Sequence, residues 1–169
     1  VIPDSGLRDA GRDAGLTTLD SGRSDSGPPL TDAGRDAGPG ICSPAAATIE
    51  ISEIMVASQT GAGDRGEWFE IHNLSACPIG LAGLEIEAGA THTVTGGLLT
   101  AGGFFVLAQS AVPSENHMLA AGYTYGTALT FANSAGMLVL RHSGTEIARV
   151  SWGSTDHRTG ASRQLSRGA

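Results

Sequence analysis

From Thr48 onward apolar and polar positions alternate in short runs, with a period of two rather than 3.6. TIEISEIMV, Thr48–Val56, is rich in β-branched residues and puts Ile49, Ile51 and Glu53 on one parity. EWFEIHN, Glu67–Asn73, is a second strand-like run. In Leu84-Glu85-Ile86-Glu87 the alternation predicts leucine and isoleucine facing in and both acids facing out. Thr91–Thr95 is a short β-prone piece after Gly89. FFVLA, Phe104–Ala108, is continuously apolar and predicts a strand buried on both faces. Met137–His142 and Thr145–Trp152 read as a hairpin turning at Ser143-Gly144, with another turn at Asn133–Gly136. No stretch of a dozen residues carries a helical period. About seven short strands between glycine-rich turns predict an all-β, antiparallel sandwich.

The first forty residues break that pattern. Asp-Ser-Gly and Asp-Ala-Gly recur at Asp4, Asp9, Asp13, Asp20, Asp25, Asp32 and Asp36, and GRDAG occurs at Gly11–Gly15 and again at Gly34–Gly38. The spacing is irregular, which excludes a stacked solenoid. Apolar residues are too sparse to offset the entropy of ordering, so residues 1–43 are expected to be a disordered low-complexity linker and residues 44–169 the folded domain. Each aspartate stands without a second acid at i+2 and near competing arginines, so ordered calcium binding is not expected there.

Composition narrows the partners. The net charge is −7, all ten basic residues are arginine, and no basic patch exists, which argues against nucleic acid. No apolar run approaches the ~20 residues of a membrane span, so membrane insertion is not expected. The chain begins at Val1 without a visible signal peptide, as a processed product or a fragment would.

Glu67 and Glu70 pose the question of catalysis. Two acids flanking Trp68 and Phe69 invite an acid/base reading, but on a strand an odd spacing sends them to opposite faces. One of them pointing inward to bond backbone is the structural alternative. No G-x-S-x-G elbow is present, and none of His72, His92, His117, His142 and His157 has metal-ligand spacing.

Taken in order, I51-S-E-I-M55, G66-E-W-F-E-I-H-N73, L81-A-G-L-E-I86, L99-T-A-G-G-F-F-V-L-A108, L129-T-F-A-N133 with G136-M-L-V-L140, and G160-A-S-R-Q-L165 resemble the lamin tail domain. The E-W-x-E-[IL]-x-N piece is the most specific of these. The resemblance implies an immunoglobulin-like sandwich. Bacterial members are typically secreted or surface proteins, often fused to enzymes, with a binding or anchoring role. The family has no known catalytic residues, so none is assigned here and no cofactor is expected. The segment Gln59–Gly66 departs from the family by being short and glycine-rich.

In an exported protein Cys42 and Cys77, the only cysteines, would pair; in a cytosolic chain they would be free thiols. Glu53, Asp64 and Glu70 are the best candidates for a weak calcium site, set against satisfaction by backbone or by Arg65 and Arg149. Tyr123 and Tyr125, two apart, would share a face of an extended segment and form a possible ligand platform. Trp152, ending a strand, is expected in core or rim packing. The functional expectation is a non-catalytic binding or adhesion module, extracellular or on the cell surface, for a protein or polysaccharide ligand. The alternative is a passive spacer accessory to a larger secreted enzyme.

Overall fold

The computed structural model describes residues 40–59 and 63–165. The linker expected over residues 1–43 lies, up to residue 39, outside them. In chain order the strands are β1 Ile49–Met55, β2 Trp68–Asn73, β3 Ile79–Gly80, β4 Leu84–Glu87, β5 Thr91–Thr93, β6 Leu98–Leu99, β7 Phe104–Ala108, β8 Tyr123–Thr124, β9 Gly136–His142, β10 Thr145–Trp152 and β11 Arg163–Gln164. The one helical element among the described residues is a single 3-10 turn, Gly126–Ala128.

The strands form a five-stranded sheet ordered β11-β1-β2-β7-β8 and a four-stranded sheet ordered β10-β9-β4-β5. A small β3-β6 ladder stands beside them. One apolar cluster draws from both large sheets: Ile49, Ile51, Ile54, Phe69, Ile71 and Leu107 from the first, Leu84, Ile86, Leu138, Leu140 and Val150 from the second. β4 buries alternate residues, Leu84 and Ile86, because successive side chains point to opposite faces, whereas β9 buries Leu138, Val139 and Leu140 in succession. The immunoglobulin-like sandwich expected from the sequence is thus the fold, although β7 and β8 pair in parallel.

Two departures matter for the surface. β1 does not keep the parity of Ile49, Ile51 and Glu53: the register against β2 shifts between Ile51 and Glu53, and burial resumes at Ile54. A bulge of this kind inserts one residue and re-aims its neighbours. Phe104–Ala108 is not buried on both faces either, because Phe104 is 58 % exposed. The β9–β10 hairpin turns at Ser143-Gly144, both at positive φ (50° and 76°), a geometry that glycine adopts without strain. Gly136 opposes Trp152 across that hairpin, and a Cβ on it would lie 2.4 Å from the indole, so the ring packs where only glycine leaves room.

Candidate functional site

The EWFEIHN segment carries two acids, a histidine and an asparagine, and its residues divide by face. Glu67 points inward at 2 % exposure, and its carboxylate accepts a hydrogen bond from the backbone N–H of Phe131 at 2.8 Å. The Glu67 carbonyl accepts from the Tyr125 hydroxyl at 3.0 Å and from the Gln109 N–H at 2.8 Å. Burial pushes the Glu67 carboxyl up to about 7; the Phe131 N–H counteracts this in part and the charge of Asp64 adds to it. Burial likewise holds the Tyr125 hydroxyl well above its ordinary range, with Glu67 and Asp64 adding to the shift. Trp68, Met55 and Ala108 turn to the outer side of the sheet, where Val106, Leu119 and Ala121 pack against them. Asn73 is fully buried; its amide donates to the carbonyls of Cys77, Leu99 and Thr100, and its side-chain oxygen accepts from the N–H and hydroxyl of Ser75. Glu67 and Asn73 are therefore fastenings that tie β2 to three distant segments.

The residues proposed for calcium do not converge. Asp64 is a loop cap whose carboxylate accepts from the Ser58 hydroxyl and from the N–H groups of Ser58, Gln59 and Gly66. Burial raises its pKa, but those four hydrogen bonds outweigh burial and the net shift is downward. Gly66 is needed there, since a Cβ would lie 2.3 Å from the Glu115 carbonyl oxygen. Glu53 accepts from the Ser162 hydroxyl and Glu70 from the Ser52 hydroxyl at 2.7 Å. The two arginines named as alternative partners go elsewhere, Arg65 to Glu115 at 3.6 Å and Arg149 to Glu146 at 2.6 Å. Among the described residues no three His, Cys, Asp or Glu side chains are placed to hold a metal ion.

The tyrosine pair is corrected by the structure. Tyr123 and Tyr125 do turn to one side, but it is the inside: Tyr125 is 3 % exposed and faces Phe69 and Phe131. Tyr123 packs against the core with its hydroxyl 2.9 Å from His92 Nε2. They form no exposed platform. Trp152 is buried against Phe131 and donates to the Ala132 carbonyl at 2.8 Å. The disulfide expected of an exported chain is present between Cys42 and Cys77. It holds Cys42 beside β3, where the Cys42 N–H donates to the Pro78 carbonyl and the Gly80 N–H to the Cys42 carbonyl.

The exposed aromatic is Phe104, which the alternation did not single out. It opposes His72 across β2 and β7, and the two rings stack at 4.2 Å and 8°. His72 Nδ1 lies 2.9 Å from the Glu50 carboxylate, so a row Glu50–His72–Phe104 crosses three strands on the outer face. The next pair of β1 and β2 on that outer face is Glu53 opposite Glu70, beyond the buried pair Ile51 and Ile71. Shared parity of His72 with Glu70 was the available signal; what hid Phe104 was its place in an unbroken apolar run. A cleft of about 190 Å³ lies between Ser58, Arg65, Glu115 and His117, smaller than the ~300 Å³ at which small-molecule pockets begin. On the outer face of the other sheet Arg141 meets Glu87 at 3.1 Å and Glu146 at 3.6 Å, and Arg149 meets Glu146.

Compared with known families, residues 43–154 match the family model described as Lamin Tail Domain. No curated protein matches the chain significantly.

Proposed function

The chain belongs to the lamin tail domain family, and on that premise we propose that its sandwich is a non-catalytic binding or adhesion module of a secreted or cell-surface bacterial protein. The observation that carries the reading is Phe104. A large apolar ring held 58 % exposed, and fixed in orientation by stacking on His72, offers contact area at little cost in side-chain entropy. The face around it differs from the opposite one, where Glu87, Arg141, Glu146 and Arg149 satisfy one another.

Export is supported by the Cys42–Cys77 bond, since disulfides persist in oxidising compartments. The non-catalytic part of the reading is supported by the fate of the acids. Glu67 is enclosed and bonded to backbone, while Glu70 lies on the other face of the same strand, so they share no substrate position.

The test is saturable binding of the full chain to intact bacterial envelopes and to insoluble polysaccharide, with Phe104→Ala in parallel. Saturation that falls to background with Phe104→Ala is the expected result. Absence of binding above background in the unaltered chain would overturn the reading and leave a passive spacer in its place.

A further inference from the structure

We infer that Glu53, Glu70 and Phe104 form a docking site for an extended, arginine-bearing segment of a partner protein, with a guanidinium between the two carboxylates and its apolar stem over the ring. This deepens the binding reading above and rests on it.

The first observation is a cross-strand pair of like charges. Glu53 and Glu70 are register partners on β1 and β2, both partly exposed. Like charges directly opposite on a sheet repel. The hydrogen bonds they receive come from the Ser162 and Ser52 hydroxyls, and among the described residues no ion pair reaches either one. On the opposite sheet Glu87 and Glu146 each face an arginine.

The second observation is the bulge, which falls at this pair, between Ile51 and Glu53. Bulges re-aim side chains and increase local twist, and here the irregularity keeps Glu53 beside Glu70 while Ile54 returns to the core. The third is Phe104, whose partner His72 lies two residues along β2 from Glu70, about 7 Å away by strand rise. That is within the length of one arginine side chain, which pairs a carboxylate with its fork and covers an aromatic with its stem or its plane. Charge complementarity thus selects a cationic partner over a neutral sugar. Asp64, the third acid once grouped with these two, is fully engaged in its loop, which argues against a calcium ion as the occupant.

The test is amide NMR of the full chain, titrated with an acetylated peptide alternating arginine and serine. Controls are the same peptide with citrulline for arginine, a neutral oligosaccharide, and calcium alone. The expected result is saturable shifts centred on residues 50–53, 70–72 and 104–106, weakened by salt. Glu70→Gln, Glu53→Gln and Phe104→Ala are each expected to weaken binding about fivefold or more, and Glu87→Gln on the opposite sheet to leave it unchanged. These side chains are exposed or half-exposed, so the variants keep a dispersed spectrum. The inference is overturned by an equal response to the citrulline peptide, by oligosaccharide or calcium reproducing the shifts, by shifts spread evenly over both sheets, or by none. Envelope binding that depends on Phe104 but ignores Glu53→Gln and Glu70→Gln would sink this inference and leave the binding reading standing. No envelope binding would sink that reading instead.

Discussion

Glu67 shows what a motif acid does when it is not catalytic. Its carboxylate is enclosed and faces no cation among the described residues, so its charged form is disfavoured and its pKa rises from 4.5 to about 7. For an acid the sign of the linkage follows directly. Below pH 4.5 the carboxyl is protonated in both folded and unfolded states and costs nothing. Between 4.5 and 7 the unfolded chain releases a proton that the folded chain retains, so stability falls as pH rises. Above 7 both states are ionised and the full cost remains, about 3 kcal/mol at the linkage rate per pKa unit. Asp64 acts oppositely: its lowered pKa contributes stability above its unfolded value of 3.8, lost only as pH falls lower. Urea unfolding of Glu67→Gln against the unaltered chain from pH 5 to 8 should therefore show the variant gaining relative stability as pH rises. Parallel curves would refute the assignment. Glu67→Ala should destabilise at pH 5, where the folded carboxyl is mostly uncharged, because the buried Phe131 N–H then has no acceptor.

At the scale of elements, the strands that alternation makes legible are those whose side chains decide burial. β1, β2, β4, β7, β9 and β10 match the runs read from sequence to within a residue or two. The two-residue strands β3, β6, β8 and β11 were not legible, because so short a ladder is held by backbone bonds and leaves no side-chain period. The inward turn of Tyr125 was hidden for a related reason: it depends on β8 lying parallel to β7 and on the Glu67 carbonyl, fifty-eight residues away, accepting its hydroxyl. The β3 region carries its own prediction. Cys42 and Cys77 enclose a loop of 35 residues that contains β1 and β2. Cross-linking a loop of that size stabilises by about 3–4 kcal/mol in the chain-entropy model. The double variant Cys42→Ser, Cys77→Ser should lose about that much in urea unfolding, with amide shifts in the native state confined to residues 40–43 and 74–80. A loss of only a few tenths of a kcal/mol would mean that the backbone bonds of Cys42 to Pro78 and Gly80 already close the loop.

Across the whole molecule, the sandwich separates a sealed interior from two unlike outer faces, and Phe69 of β2 and Phe104 of β7 measure that separation. Phe69 is fully buried between the sheets, against Tyr125 and Phe131. Phe104 stands outside, on a face where nothing but His72 is stacked on its ring among the described residues. Phe69 stands beside Glu70 in an alternating run, whereas Phe104 opens an unbroken apolar run in which the pattern assigns no outward position; the pairing of His72 with Phe104 is what places that ring outside. Phe69→Ala should cost about 3–5 kcal/mol, the transfer of a buried ring plus the cavity it leaves. Phe104→Ala should cost less than about 1 kcal/mol, because most of the ring is already in water. Thermal and urea unfolding of the two variants test the contrast directly. If Phe104→Ala proved as costly as Phe69→Ala, the ring would be a structural element of the sheet, and its exposure would lose its force as an argument for binding. If it unfolds like the unaltered chain, the aromatic contributes little to the fold, as the proposed binding role requires of a side chain left free for a partner.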